Sequence, residues 1–424
     1  MRIVIIAMGS RGDVQPYVAL GKGLQEAGHI VRLMTHQNFE TLVQSHGLAF
    51  WPASGNVQDV AESEEMRALL AKGNFLAITR RTAKEAQQAA LQWAEDGLAA
   101  CQGMDLLLGG IGGLYIGLSL AEKLGLPFLQ AYVVPFSPTN AFPGALLPQS
   151  LPQLGGAVNR LSHHLTRQMM WQGFRSADNQ ARRQLLGLPP APFWGPYNGE
   201  QLRHQPILYG FSPHVLPKPS DWDENAHTTG YWFLDSAADW SPPADLLGFL
   251  DAGPPPVYIG FGSMGSRQPE ETANLILQAL AQTGQRAILL SGWGGLRKTE
   301  LPDSVFMMAS IPHTWLFPHV STVVHHGGAG TTAAGLAAGV PSIIIPFFGD
   351  QFFWGERVAA LGVGPTPAPR KKLTADRLAQ ALQQATTDET MRQRAADLGA
   401  KIRAEDGVAQ AVAVVRQIEQ RGVA

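Results

Sequence analysis

The chain has one cysteine, Cys101, among 424 residues, which excludes an intrachain disulfide and fits a reducing compartment. Charge is also scarce: Asp, Glu, Lys and Arg make up 16% of the residues, against about 25% in an average soluble domain. The formal net charge is −2, and no run of Lys and Arg is longer than Arg370-Lys371-Lys372. A nucleic-acid-binding face needs clustered cations, as does firm attachment to an anionic membrane, so neither is expected. No stretch of about 18 apolar residues is present to span a bilayer. The apolar opening Ile3-Val4-Ile5-Ile6-Ala7-Met8 gives way to Gly9 and Asp13. It is too short for a secretory core and reads as a first β-strand, so a cytoplasmic location is expected.

Hydrophobic residues, by contrast, make up 45% of the chain, and its 46 glycines and 30 prolines fall at intervals between apolar runs. At roughly 100–200 residues per domain, two domains are expected. Strand-like runs at 2–8, 31–35, 48–51, 105–108 and 127–133 alternate with helical ones, the first opening at Pro16 and closing at Gly28. The rhythm breaks between 134 and 200 and restarts at 257–261, then continues through 286–290, 305–309, 322–325 and 342–346. Such alternation predicts parallel sheets wrapped by helices. The expected fold is therefore α/β, with two doubly wound Rossmann-like domains facing across a cleft. The boundaries are 1–235, a Pro-rich linker at 236–256, 257–406, and a C-terminal helix at 407–424 that can pack back on the first domain.

Three motifs carry chemistry. Gly260, Gly262 and Gly265 match a dinucleotide fingerprint, but the following strand ends Leu289-Leu290-Ser291-Gly292 with no carboxylate for a ribose, so hydride-transfer chemistry is not expected. A glycine-rich turn against a phosphate fits better, with Ser263 as hydroxyl donor. The strongest signal is His325-His326-Gly327-Gly328-Ala329-Gly330-Thr331-Thr332, lying between a strand and a helix. Small residues there let an anion reach the free N–H groups and positive dipole of a helix mouth. Asp350-Gln351 follows the strand 342–346, where a carboxylate beside an amide suits vicinal hydroxyls.

Together with Gly339-Val340-Pro341 and Pro346, these residues resemble the donor signature of the UDP-glycosyltransferase superfamily, which has the GT-B fold. The opening from Gly9-Ser10-Arg11-Gly12-Asp13 to Gly21 is similar to that of sterol 3-beta-glucosyltransferases and, less closely, of glycosyltransferases acting on glycopeptide antibiotics. Ile311-Pro312-His313 and Ile402-Arg403-Ala404-Glu405-Asp406-Gly407 extend the match toward the C-terminus. The resemblance implies an N-terminal acceptor domain, a C-terminal nucleotide-sugar domain and an inverting hexosyl transfer, most simply of glucose from UDP-glucose. The apolar acceptor would be a sterol, triterpenoid, polyketide or flavonoid. It places the donor on Ser10, Arg11, Gly12, Gly262, Ser263, Trp293, Ile311, His313, His326, Gly328, Ala329, Gly330, Thr331, Asp350 and Gln351. The plant branch's ribose glutamate is Ala334 here, and its stacking tryptophan is Ser310, so base and ribose recognition differs from that branch.

The first strand-to-helix turn holds no histidine, but it does hold Asp13, which by resemblance is the general base. It is equally placed to cap the helix. The D-x-D match Asp221-Trp222-Asp223 lies in a connecting stretch without a phosphate turn; no metal and no cofactor beyond the UDP-sugar substrate is expected. Phe136, Phe142, Met170, Trp171 and Phe174, in the most apolar irregular region, are the candidate acceptor residues, with His163 and His164 beside them. An exposed apolar face there would allow weak peripheral membrane contact. The alternative is another nucleotide-sugar-binding GT-B protein, an epimerase or a non-catalytic regulator.

Overall fold

The computed structural model describes residues 1–55, 63, 65, 69, 75–147, 155–197, 199, 202, 205–235, 240–261, 269–290 and 301–420. They fall into two compact units. The first comprises 1–60, 75–234 and 405–424; the second comprises 61–74 and 235–404.

In the first unit, strands β1 (Arg2–Ile6), β2 (Ile30–His36), β3 (Ala49–Ala53), β4 (Leu106–Gly109), β5 (Phe128–Tyr132), β6 (Ile207–Tyr209) and β7 (Ala226–Thr228) form one sheet. Its order is β3-β2-β1-β4-β5-β6-β7, and every pair is parallel. Ile3, Val4, Ile5 and Ile6 are all fully buried, as expected of a strand covered on both faces. The covering helices are α1 (Arg11–Glu26), the short α2 (Glu40–Gln44), α3 (Phe75–Ala100), α4 (Leu114–Leu124) and α5 (Gly156–Ala181). Strands β6 and β7, only three residues each, lie in a stretch for which the sequence predicts no strand.

Helix α1 starts at Arg11 rather than at Pro16. The cause is local: Ser10 is the N-cap, and Asp13, three residues on, returns its carboxylate to the Ser10 N–H. Pro16 therefore sits inside the helix and has no N–H for the carbonyl of Gly12.

In the second unit, β8 (Val257–Gly260), β9 (Ala287–Leu290), β10 (Val305–Met308), β11 (Thr322–His325) and β12 (Ser342–Ile344) form a sheet of order β10-β9-β8-β11-β12. It too is parallel throughout. Its helices are α6 (Ala244–Asp251), α7 (Pro269–Thr283), α8 (His313–Leu316), α9 (Ala329–Ala338), α10 (Gln351–Ala360), α11 (Ala375–Thr387) and α12 (Glu389–Arg403). Helix α6 lies within the predicted linker. Its Leu246 is fully buried among Tyr258, Ile288, Leu316 and Phe317, with Phe249 and Leu250 packed against the same core.

After α12 the chain returns to the first unit at Glu405, which accepts a hydrogen bond from Ser212 at 2.7 Å. The last helix, α13 (Gly407–Gln420), buries Ala411, Val415 and Ile418 in the core that also holds Leu20 and Leu24 of α1. A Cβ on Gly23 would stand 2.2 Å from Val408; the glycine lets α1 and α13 approach closely.

Candidate active site

An open parallel sheet binds ligands beyond the carboxyl ends of its strands, where the strand order reverses. In the first unit that point lies between β1 and β4, whose ends pair Ile6 with Gly109. Two loops meet there. The first, Gly9–Asp13, leaves β1. Gly9 adopts φ 141°, and a Cβ on it would lie 2.5 Å from Asp13 Oδ2, so only glycine lets the carboxylate fold back over the turn. The Ser10 N–H and hydroxyl both donate to Oδ2 at 2.8 Å. Neither bond uses Oδ1.

The Asp13 residue is exposed, but desolvation by the surrounding protein pushes its carboxyl above the usual range, against the opposing effect of Ser10. A carboxylate that can be reached yet is held at raised basicity has the character of a general base. Arg11 is exposed and donates from Nε to Gln15 at 2.9 Å. The second loop, Gly109-Gly110-Ile111-Gly112-Gly113, was not anticipated as part of a site. Side chains at Gly110 and Gly112 would meet the Tyr17 hydroxyl at 1.8 Å and the Met8 carbonyl at 1.9 Å. Clustered glycines after a strand were the available sequence signal.

An aromatic cluster adjoins the ends of β5 and β6. Tyr132 packs on Phe136 and Tyr209, and the Tyr115 and Tyr197 hydroxyls are 2.6 Å apart. The Arg167 guanidinium stands 4.9 Å from the Phe136 ring and 5.0 Å from the Tyr197 ring, and its Nε donates to the Phe136 carbonyl at 3.1 Å. Tyr115, Tyr197 and Arg167 belong to this region although they are absent from the candidates expected from the sequence. Phe136 itself is buried, while Phe142, Met170 and Phe174 are half-buried.

Trp171 is fully buried, and its Nε1 donates to the carbonyls of Pro192 and Phe193 at 3.0 Å. His163 is likewise buried, bonded through Nε2 to the Phe142 carbonyl at 3.0 Å; His164 is exposed. The D-x-D pair also has a structural task. Asp221 accepts from the Thr139 hydroxyl at 2.6 Å and the Asn140 N–H at 2.7 Å, and Asp223 accepts from the Asn225 N–H at 3.0 Å. Both carboxylates fasten loops.

The second unit reverses strand order between β8 and β11, and the register pairs Gly260 with His325 at their ends. From that point His326, Gly327 and Gly328 lead into α9, with Gly328 as N-cap. The N–H groups of Ala329, Gly330 and Thr331 are the helix's first donors, which have no partner within the helix; the Thr332 N–H already reaches the Gly328 carbonyl at 2.9 Å. Among the described residues, none partners the buried Nδ1 of His326. Its Nε2 lies where a Cβ on Gly328 would come within 2.6 Å. Burial lowers its pKa to about 4, so it is neutral near pH 7, with one N–H to donate.

Asp350 stands at the N-cap position of α10, and its carboxylate accepts from Trp354 Nε1 at 3.2 Å. Gln351 is buried, and its Oε1 takes the N–H groups of Phe347 and Phe348 at 2.8 and 3.2 Å. It thereby shapes the turn 346–349, leaving only its amide nitrogen to donate elsewhere. Ile311 is buried; His313 bonds Tyr258 at 3.0 Å and stacks on Phe317 at 4.5 Å. Gly262, Ser263 and Trp293 lie outside the described residues.

Comparison with known proteins matches the two halves of the chain to two family models. Residues 3–143 match the glycosyltransferase family 28 N-terminal domain, and 275–418 match the erythromycin biosynthesis protein CIII-like C-terminal domain. A sterol 3-beta-glucosyltransferase of Arabidopsis thaliana is 40% identical over 426 residues, covering 97% of this chain and 67% of its own. One of Cryptococcus neoformans var. neoformans is 39% identical over 451 residues, covering 99% of this chain but 27% of its own. The chain thus spans about two thirds of the plant relative and about a quarter of the fungal one.

Among solved structures, the calicheamicin glycosyltransferase CalG4 superposes with TM-score 0.68 at 18% identity, covering 99% of this chain and 98% of that one. The Streptomyces sp. SF2575 glycosyltransferase SsfS6, complexed with thymidine diphosphate, gives 0.65 at 19%, covering 98% and 99%. The chain belongs to the UDP-glycosyltransferase superfamily, alongside the sterol 3-beta-glucosyltransferases, and is a glycosyltransferase of the two-domain GT-B fold. Among the described residues no helix is long and apolar enough to cross a membrane.

Proposed function

We propose that this enzyme transfers glucose from UDP-glucose to the hydroxyl of a sterol-like acceptor, with inversion at the anomeric carbon and Asp13 as general base. The observation that carries the proposal is the state of Asp13: reachable, raised in basicity by desolvation, and fixed through one oxygen by Ser10. The acceptor hydroxyl gives its proton to the carboxylate while its oxygen bonds to the anomeric carbon. The bond from that carbon to the diphosphate breaks, and the diphosphate leaves with the electron pair. The α9 mouth, at Ala329, Gly330 and Thr331, stabilises the leaving charge with backbone donors and the helix dipole. His326, neutral and adjacent, adds a donor. Asp350 and the Gln351 amide nitrogen hold sugar hydroxyls, and His313 and Ile311 line the nucleoside. Several relatives are named sterol 3-beta-glucosyltransferases, which supports the glucose donor and sterol acceptor class. The location proposed is cytoplasmic.

The test is product formation by the purified protein with UDP-glucose, and separately dTDP-glucose, against a panel of sterols, triterpenoids and phenolics, read by mass spectrometry. A sterol β-glucoside formed from UDP-glucose is expected. Turnover of phenolics with no sterol product would overturn the acceptor class, and absence of UDP-glucose binding in calorimetry would overturn the donor.

A further inference from the structure

A cation half-buried among aromatic rings loses hydration that an anion or hydrogen-bond acceptors must replace. Arg167, on α5, is half-buried. Its guanidinium lies 4.9 Å from the Phe136 ring and 5.0 Å from the Tyr197 ring, so the rings cover its flanks. Along its edge, only Nε has a partner among the described residues, the Phe136 carbonyl at 3.1 Å. The Nη1 and Nη2 groups have none there, and neither nitrogen is enclosed. Among the described residues no ion pair includes Arg167, whereas Arg160 pairs with Asp221 at 3.7 Å and Arg182 with Glu122 at 2.8 Å. From 156 to 177 the chain has no Asp or Glu that could turn to it.

The hydroxyls around it define what kind of ligand could supply the missing partner. Tyr197 donates to the Arg167 carbonyl at 2.9 Å. Its single proton is then spent, so at 2.6 Å it is Tyr115 that donates to Tyr197. Tyr209 donates to the Ser137 hydroxyl at 2.6 Å, and Tyr132 to Gln130 at 2.8 Å. The tyrosines thus spend their protons within the cluster. What remains for a ligand is the Nη1 and Nη2 edge of a fixed guanidinium: parallel N–H groups, a positive charge and apolar walls. Paired N–H groups of that kind match the two oxygens of a carboxylate.

The cluster stands at the same sheet edge as Asp13. Tyr17, one turn along α1 from Asp13, donates to the Ala131 carbonyl at 2.6 Å; the next residue, Tyr132, packs on Phe136 at 5.1 Å. Only β4 separates β1 from β5, so the loops that follow those two strands leave the sheet about 10 Å apart, a gap that a fused-ring skeleton can span. We propose that Arg167 binds a carboxylate at the far end of the acceptor, opposite the hydroxyl that Asp13 deprotonates. The preferred acceptor is then a sterol-like polycyclic hydroxy acid, turned over ahead of a neutral sterol. The inference rests on the reading of this region as the acceptor's and names the chemistry of the acceptor's second end.

The test compares a triterpenoid hydroxy acid with its methyl ester, which keeps the skeleton and the hydroxyl and removes the charge. Wild type should prefer the acid by about tenfold or more in kcat/KM, the worth of a charge-assisted hydrogen bond. It should also bind the acid more tightly than the ester in calorimetry with UDP present. Arg167→Gln should bring both ratios close to one, and Arg167→Lys, which keeps the charge without the fork, should retain part of each. Equal treatment of acid and ester by the wild type, or turnover of a neutral sterol with no binding of the acid, would overturn the proposal without any variant. So would equal losses for acid and ester in Arg167→Gln, which would leave the arginine a packing role alone. A glucose ester on the carboxyl, released by mild alkali, would seat the carboxylate at Asp13 and overturn it as well. Arg167-dependent binding of the acid with no glucoside formed would keep the carboxylate site and remove the transfer reading instead.

Discussion

Replacing Asp13 with Asn tests the central assignment with little structural disturbance. Ser10 bonds Asp13 only through Oδ2, from its N–H and hydroxyl at 2.8 Å each, and an asparagine carbonyl oxygen can accept both. The α1 N-terminus therefore survives, and the variant loses one thing: a site that can take a proton. General-base removal costs about 10²–10⁴ in rate, so kcat should fall by about that factor while the donor dissociation constant changes little. The pH profile makes the experiment decisive. Desolvation raises the Asp13 pKa above its unfolded value, so the basic form is lost as pH falls through that raised pKa, and wild-type kcat/KM should drop on the acid side.

The same shift means that folding favours the protonated carboxyl; stability is fully present below the unfolded pKa and declines as pH rises through the folded one. Asp13→Asn should abolish the acid limb of the rate profile and leave thermal stability at pH 7 equal or slightly higher. Initial rates from pH 5 to 9, calorimetric donor titration and a melting curve measure all three. A variant that keeps kcat within about threefold of wild type, with its acid limb intact, would refute Asp13 as the base.

Gly9→Ala should act through the same carboxylate. Its Cβ would overlap Asp13 Oδ2 at 2.5 Å, at a φ of 141° that alanine rarely adopts, so kcat should fall at least tenfold, by roughly 1.4 kcal/mol or more, with donor affinity retained in calorimetry. His326→Ala should instead weaken donor binding about tenfold or more, the value of a hydrogen bond to a charged group, and leave the acid limb of kcat where it is. Asp178→Asn tests a buried cost outside both sites. Asp178 accepts from Ser119 at 2.8 Å, with Arg182 nearby, but desolvation pushes its carboxyl up to about 6. Wild-type stability should therefore fall as pH rises from about 4 to about 6, by about 2–3 kcal/mol at most, and the asparagine variant should show a flatter curve of melting temperature against pH.

The strands other than β6 and β7 were legible because most of them are nearly uniform apolar runs. Ile3-Val4-Ile5-Ile6 and Leu106-Leu107-Leu108 are buried on both faces, and a fully covered parallel strand has no polar alternation to confuse its reading. The α9 turn was legible because glycines, histidines and threonines stand together in sequence. Helix α6 was missed because Pro254-Pro255-Pro256 and Pro242-Pro243 dominate its surroundings, whereas Leu246 finds its partners, Tyr258, Ile288 and Phe317, elsewhere in the chain. The start of α1 was misplaced because proline marks a first turn only as a tendency, and here the Ser10 and Asp13 cap outweighs it.

The harder region lies between 134 and 235, where the sequence offers aromatic residues without saying which of them pack and which face a ligand. Trp171 and Arg167 show why. Both sit on α5, four residues apart, in reach of one cluster. Tyr115 covers the tryptophan at 5.1 Å, and two carbonyls satisfy its Nε1. The guanidinium, in contrast, lies against Phe136 and Tyr197 and holds one carbonyl through Nε. Composition favours tryptophan as the ligand contact and arginine as surface, whereas in the fold the tryptophan is fully buried and the arginine lies against two rings. The hydrogen bond that buries Trp171 also fixes the Phe193 carbonyl and so holds Trp194 outward. One tryptophan's packing thus creates another's exposure, a coupling between residues 23 apart that periodicity does not register.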